Sequence, residues 1–158
     1  MAKKVADQLV DTLEKAGVRR IYAVTGDSLN EVNEAVRKNG RLRWIHVRHE
    51  ETGAYAAAAE AQLTGELACC AGSSGPGHVH LINGLYDAQR SGARVLAIAS
   101  TIPSREFGTE YFQETNTIKL FDDCSYYNQV ATTPEQFPRM LQGAMQAAIS
   151  SRGVGVIG

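Results

Sequence analysis

The sequence has no excess of either charge and no long apolar run. Sixteen lysine and arginine residues stand against seventeen aspartate and glutamate residues, which gives a formal net charge of -1 at pH 7. Because the basic residues are scattered, we expect no nucleic-acid partner. No segment approaches the roughly 18 apolar residues of a membrane-spanning helix, and no signal peptide precedes the first amphipathic segment. The sequence therefore predicts a soluble domain.

Cysteine is rare, and the three cysteines form no recognisable framework. Cys69 and Cys70 are adjacent, so their side chains point to opposite faces of a strand, and Cys124 has no partner at C-x-x-C spacing. This usage is typical of reduced cysteines and predicts a cytoplasmic location. The histidines also lack the spacing of zinc ligands, and we assign no metal site.

Short apolar segments and amphipathic helical segments alternate along the whole chain. The predicted strands cover residues 21–24, 44–47, 67–71, 95–99, 125–131 and 154–157. Such alternation favours parallel strands joined by helices. We therefore expect a single doubly wound α/β domain over residues 1–158, with segment 95–99 central in its sheet. The chain stops within its last predicted strand, and we therefore expect it to be a truncated fragment.

Two segments place polar groups where strands of such a sheet end. Glu50 follows the second strand and begins an Ala-rich helix, and residues 72–77 (GSSGPG) follow the third strand and begin another helix. An acid in the first turn of a helix commonly only offsets the helix dipole, and a glycine-rich turn with proline commonly only starts a helix. Strand ends in parallel sheets also bind ligands. The functional alternative is a crevice in which the carboxylate bonds a heterocyclic cofactor.

Candidate residues also lie in two other segments. Asp27 with Ser28 fits a helix-capping pair and lies at the mouth of the same crevice. The irregular segment 101–120 contains Phe112 and Gln113, which either fasten it to the sheet or form the wall of a small-molecule pocket.

Five motifs, taken in order, resemble one family over essentially all 158 residues. They are VTGDSLN, RHEETGAYAAAAEAQLTG, CAGSSGPGHVHLINGLYDA, VLAIAS and YFQET. Together they are similar to the N-terminal, pyrimidine-binding domain of thiamine diphosphate-dependent enzymes. The wording GDSLN, HLINGLYD and IPSREFGTEYFQET looks most like the quinone-linked pyruvate oxidases.

The resemblance implies a catalytic role for Glu50. In the family, the matching glutamate hydrogen-bonds N1′ of the pyrimidine and promotes the imino tautomer that deprotonates C2 of the thiazolium. Such a hydrogen bond, to a nitrogen whose basicity changes, suits general acid–base catalysis. The same resemblance implies that pyruvate, a small 2-keto acid, is decarboxylated and that electrons pass through FAD to a quinone, with release of acetate.

Further contacts follow from the resemblance. The implied cofactor-binding residues are Ser74, Gly75, Pro76 and Asn83. The implied substrate-side residues are Gly26, Asp27, Phe112 and Gln113. His80 is a departure, because many relatives have asparagine at this position.

The family's diphosphate and magnesium motif, GDG followed by a segment with asparagine, appears nowhere in the sequence. The resemblance therefore implies that this chain holds only the pyrimidine half of the thiamine diphosphate site. Magnesium, FAD and any peripheral membrane association are expected only of a full-length enzyme, and the isolated fragment is expected to be inactive. We also expect a homo-oligomer, dimer or tetramer, formed through this domain.

Other interpretations remain open at this stage. The chain is alternatively a fragment of a carboligating relative, such as an acetolactate synthase or a sulfoacetaldehyde acetyltransferase. A pyrimidine-binding subunit of a two-chain decarboxylase and a non-catalytic dimerisation domain are further alternatives. A nucleotide-binding Rossmann domain is disfavoured because its G-x-G-x-x-G motif is absent after the first strand.

Overall fold

Six short strands form one parallel sheet in the computed structural model, which describes residues 3–158. The strands are β1 (Arg20–Ala23), β2 (Arg43–His46), β3 (Ala68–Gly72), β4 (Val95–Ala99), β5 (Tyr127–Gln129) and β6 (Val154–Ile157). Their order in the sheet is β2-β1-β3-β4-β6-β5, and every neighbouring pair is parallel. The predicted doubly wound α/β fold is confirmed, with β4 between β3 and β6.

Helices cover both faces of the sheet. They are α1 (Val5–Lys15), α2 (Asn30–Asn39), α3 (Glu50–Thr64), α4 (Pro76–Val79), α5 (Ile82–Ser91), α6 (Thr117–Leu120) and α7 (Phe137–Ser151). One apolar core contains residues of α1, α2 and α7, and the other contains residues of α3 and α5. Because strand side chains alternate, Cys69 belongs to the first core and Cys70 to the second. Within residues 3–158, no helix is long and apolar enough to cross a membrane.

All three cysteines are buried and unpaired. Burial disfavours the thiolate and raises the pKa of Cys70 to about 12 and that of Cys124 to about 11. Burial likewise raises the pKa of the Cys69 thiol. These thiols are therefore packing groups of the two cores.

The close packing of α3 against α5 depends on a glycine. A Cβ atom at Gly84 would lie 2.5 Å from the Cβ of Ala54 and 2.8 Å from the backbone nitrogen of Tyr55. Side-chain rotation cannot relieve the second contact, because the obstacle is backbone. Gly84 therefore sets how closely α5 approaches the helix that begins at Glu50.

The structure corrects three local predictions. The predicted strand 125–131 is reduced to β5, which forms an edge of the sheet and pairs only with β6. The helix predicted from His78 begins earlier, as α4, and is interrupted at Leu81, whose amide donates to a carbonyl three residues back. Ser28 makes no side-chain cap, because its hydroxyl instead accepts a hydrogen bond from the Ser74 amide, 2.9 Å away. A tertiary contact has replaced the predicted local one.

Candidate functional site

The carboxyl ends of the central strands meet at one edge of the sheet and form a crevice there. The chain turns in opposite directions after β1 and after β3, and this reversal is the usual position of a ligand crevice. The Ser28 hydroxyl accepts from the Ser74 amide, and the Ser100 hydroxyl donates to the Ser28 carbonyl at 2.9 Å. These hydrogen bonds connect the loops that follow β1, β3 and β4.

Glu50 is the acid of this crevice. It is the first residue of α3, directly after the extended residue His49, and only 8% of its surface is exposed. The amide end of a helix favours negative charge, which suits a carboxylate at this position. One carboxylate oxygen, Oε2, lies 3.0 Å from Nδ1 of His80. The fold therefore holds a nearly buried carboxylate in a defined orientation.

The other carboxylate oxygen faces a backbone without a side chain. A Cβ atom at Gly77 would lie 3.3 Å from Oε1 of Glu50 and 2.5 Å from Oγ of Ser73. A Cβ at Gly26 would in turn lie 2.5 Å from Cβ of Ser73. The two glycines thus let the loops after β1 and β3 pack closely beside the carboxylate. The space that a side chain would take at either glycine is filled by Ser73.

Gln113 joins the crevice from the long segment that follows β4. The Ser74 hydroxyl donates to its Oε1 at 3.1 Å. Gly75 has a φ of 68°, and a Cβ atom there would lie 2.7 Å from Cβ of Gln113. Glycine is therefore required at position 75 both for its backbone conformation and for this close approach.

A buried histidine, His78, fastens the same segment to the sheet. Its Nδ1 lies 2.8 Å from the Ser100 carbonyl and its Nε2 lies 2.5 Å from the Thr115 hydroxyl. Because a carbonyl only accepts, Nδ1 carries the proton and Nε2 accepts from the hydroxyl. Burial lowers the pKa of this imidazole, which is consistent with a neutral ring.

The remaining predicted site residues lie at the surface. Pro76 is exposed at the first position of α4, and Asp27 is exposed in the 3-10 turn after β1. Phe112 is 78% exposed. The exposed Asn83 directs its amide to Glu51 at 3.3 Å rather than to Glu50. Of the other predicted residues, Gly26 packs against Ser73, and Ser74 and Gly75 contact the exposed Gln113, in the loops that lie beside Glu50.

Sequence reasoning gave no role to His78 and identified His80 only as a departure from the family. His78 and His80 are far from their partners in sequence, with separations of 22, 30 and 37 residues. No local pattern reveals such pairs. The only available signal was that both residues follow β3 and so lie at the ligand-binding edge.

A cleft of about 720 Å³ lies elsewhere, between segment 101–120 and the residues that follow β5. Phe107, Tyr111 and Ile118 contribute to its apolar walls. It includes neither Glu50 nor the glycine loop. We place the candidate site at the carboxylate because volume alone supplies no reacting group.

Comparison with known proteins gives the family. Residues 3–120 match the family described as thiamine pyrophosphate enzyme, N-terminal TPP binding domain. The chain belongs to this family. The buried carboxylate and the glycine-lined backbone fit the aminopyrimidine half of that cofactor, which offers a ring nitrogen as a hydrogen-bond partner.

Three similar proteins illustrate the relationship. An uncharacterised 42.6 kDa protein of Pseudomonas amyloderamosa is 57% identical over 98% of this chain, and the putative thiamine pyrophosphate-containing protein YdaP of Bacillus subtilis is 45% identical over 99%. The pyruvate oxidase of Lactiplantibacillus plantarum is 38% identical over 94%. The chain spans 39%, 28% and 25% of the lengths of these proteins, respectively.

Proposed function

We propose that this chain forms the pyrimidine-binding half of a thiamine diphosphate site in an enzyme that oxidatively decarboxylates pyruvate to acetate. In this proposal electrons pass through FAD to a quinone, and FAD and magnesium are bound by parts of a longer enzyme. The observation that carries the proposal is the buried carboxylate of Glu50, held by His80 on one oxygen and open towards Gly77 on the other.

Glu50 is suited to exchange a proton with a ring nitrogen. His80 occupies Oε2, so Oε1 is the oxygen available to a ligand. A hydrogen bond whose strength changes as the nitrogen gains or loses basicity contributes to rate rather than only to binding. When bound, thiamine diphosphate supplies a nucleophilic carbon that adds to 2-keto acids and takes up the electrons released by decarboxylation.

The neighbouring groups orient the ligand and restrict water. Gly26 and Gly77 let the loops after β1 and β3 pack closely beside the carboxylate, and the Ser74 hydroxyl donates a hydrogen bond to Gln113. A side-chain amide at this position offers both a donor and an acceptor to a small oxygenated substrate. Pyruvate, with its carboxylate and keto oxygens, has that character.

Similarity to the Lactiplantibacillus pyruvate oxidase supports oxidation as the reaction. Acetolactate synthases are also similar to this chain, so carboligation is the competing proposal. We further propose that the enzyme is cytoplasmic and homo-oligomeric, and that only the longer enzyme associates with a membrane surface.

The test is an assay of the full-length enzyme that contains this chain, with Glu50→Gln as the central variant. Quinone reduction and acetolactate formation are both measured from pyruvate. We expect quinone reduction in the unmodified enzyme and a loss of about 10²-fold to 10⁴-fold in kcat for Glu50→Gln, the usual range for a general acid–base group.

Glu31→Gln is the matched control, because Glu31 also lies in the first turn of a helix but is exposed and pairs with Lys4 rather than with a residue of the crevice. It should leave turnover unchanged. Undiminished turnover in Glu50→Gln would remove Glu50 from the mechanism. Acetolactate as the main product would instead favour the carboligating reaction.

A further inference from the structure

Three metal-ligating side chains converge at the mouth of the crevice. One ligand atom from each of His49, Glu50 and His80 lies within 4.8 Å of the others. The shortest pair is Nδ1 of His80 and Oε2 of Glu50, at 3.0 Å. His49 and Glu50 are the residue before α3 and the first residue of α3, and His80 lies in the turn after α4, so the tertiary fold brings His80 to the other two.

The two imidazole rings are arranged side by side. Their centroids are 4.4 Å apart and their planes differ by 24°, which is a stacked geometry. Both histidines are exposed, whereas Glu50 is buried. The set therefore consists of one buried carboxylate beside two exposed imidazoles that a dissolved ion can reach.

We infer that His49, Glu50 and His80 bind a divalent transition metal ion of the Zn²⁺ or Co²⁺ type. Two imidazoles and a carboxylate are a common three-ligand set for zinc, with a fourth position left to water. Ligand atoms on a tetrahedral ion with bonds of about 2.1 Å are roughly 3.4 Å apart. The ligand atoms, now within 4.8 Å of one another, need to approach by no more than about 1.4 Å to reach this spacing, which rotation about the side-chain bonds of the exposed rings supplies.

Other ions fit the same atoms less well. Calcium takes six to eight oxygen ligands, and magnesium is usually held by carboxylates, phosphates and water. The set offers only one carboxylate beside two imidazoles, the nitrogen ligands that zinc, cobalt and nickel accept readily. No thiol belongs to it, because the three cysteines lie in the buried cores.

The ion would coordinate the carboxylate in place of its hydrogen bond to His80. The proton of a neutral His80 then moves from Nδ1 to Nε2, and Nδ1 provides its lone pair to the metal. Where the proposed function holds, the ion and the aminopyrimidine compete for the same carboxylate. Transition metals would then inhibit assembly of the cofactor-bound enzyme.

The test is titration of this chain, without any affinity tag of histidines and without thiamine diphosphate. Co²⁺ is followed by its visible absorption and Zn²⁺ by calorimetry. We expect one ion per chain with the absorption of four-coordinate Co²⁺. His49→Gln and His80→Gln should each weaken binding by at least about tenfold, and these exposed positions are chosen because they do not threaten the fold.

His46→Gln is the matched control, since His46 is an exposed histidine at the end of β2 outside the set. It should bind the ion as the unmodified chain does. Absence of a one-to-one complex, or equal affinity in all three variants, would overturn the inference. Since no thiamine diphosphate is present, this failure is independent of the Glu50→Gln turnover result.

Discussion

Replacing Gly84 with alanine tests whether α5 packs as closely on α3 as the structure shows. The added methyl carbon would lie 2.5 Å from Cβ of Ala54, about 1.0 to 1.5 Å inside the ordinary separation of about 3.5 to 4.0 Å. It would also lie 2.8 Å from the backbone nitrogen of Tyr55. The two helices must therefore separate or slide, because neither neighbour is a flexible side-chain end.

The expected magnitude follows from two opposing effects. Overpacking of a core costs about 1 to 3 kcal/mol. We expect a cost towards the upper end of this range at Gly84, because one of the obstructing atoms belongs to the backbone. Replacing glycine by alanine inside a helix recovers about 1 kcal/mol of helix propensity. The net destabilisation of Gly84→Ala should be about 1 to 2 kcal/mol. For a domain of this size, that lowers Tm by about 2 to 8 °C.

Thermal and urea unfolding, each followed by circular dichroism, measure this change. Asp87→Ala is the matched control, because Asp87 is exposed on the same helix and its replacement by alanine adds helix propensity without a new contact. It should leave stability within about 0.5 kcal/mol or raise it slightly. A Gly84→Ala variant as stable as the unmodified chain would refute the described helix packing.

Two further changes probe a buried histidine and a strained helix end. Burial lowers the pKa of His78, so between the two pKa values the folded chain binds fewer protons than the unfolded chain. The neutral His78 therefore contributes its full stability above the unfolded pKa of about 6.5. This contribution is lost as the pH falls below that value towards the lower folded pKa. Urea unfolding at pH 7.5 and 5.5 should therefore show a smaller pH-dependent loss in His78→Gln, and an equal loss would exclude His78 as the cause. Arg152 ends α7 with a φ of 54°, a conformation that costs a non-glycine residue about 1 to 2 kcal/mol. Arg152→Gly should raise the free energy of unfolding by about 1 kcal/mol, and an unchanged or lower Tm would contradict this.

Two strands with continuous apolar sequence were predicted to the residue, whereas the equally buried β3 lies one residue further along the chain than predicted. The predicted limits of β4 and β6 are those observed, because both are buried on two faces and every residue favours the same state. At the edge of the sheet the sequence pattern predicts strand limits less well: β5 is half-exposed and covers only three residues of the predicted strand 125–131. The order of the strands depends on contacts between distant residues, and local periodicity does not encode it.

The candidate site was predictable only in part, for a similar reason. Glu50 stands at a strand-to-helix boundary, which is visible in the sequence. Its partner His80 comes from another loop, and the hydroxyl of Ser28 is drawn into a contact with Ser74 instead of capping its own helix. These contacts depend on which loops the sheet brings together, and no single segment of the sequence determines them.

Because all three thiols are buried, their chemical modification reports local unfolding of this chain. Cys69 and Cys70 lie in β3, an interior strand of the sheet, and their raised pKa values keep them protonated at neutral pH. A thiol-modifying reagent in the surrounding solution consequently meets them only after neighbouring strands come apart. The rate at which Cys69 and Cys70 are modified would thus measure how often the central strands separate.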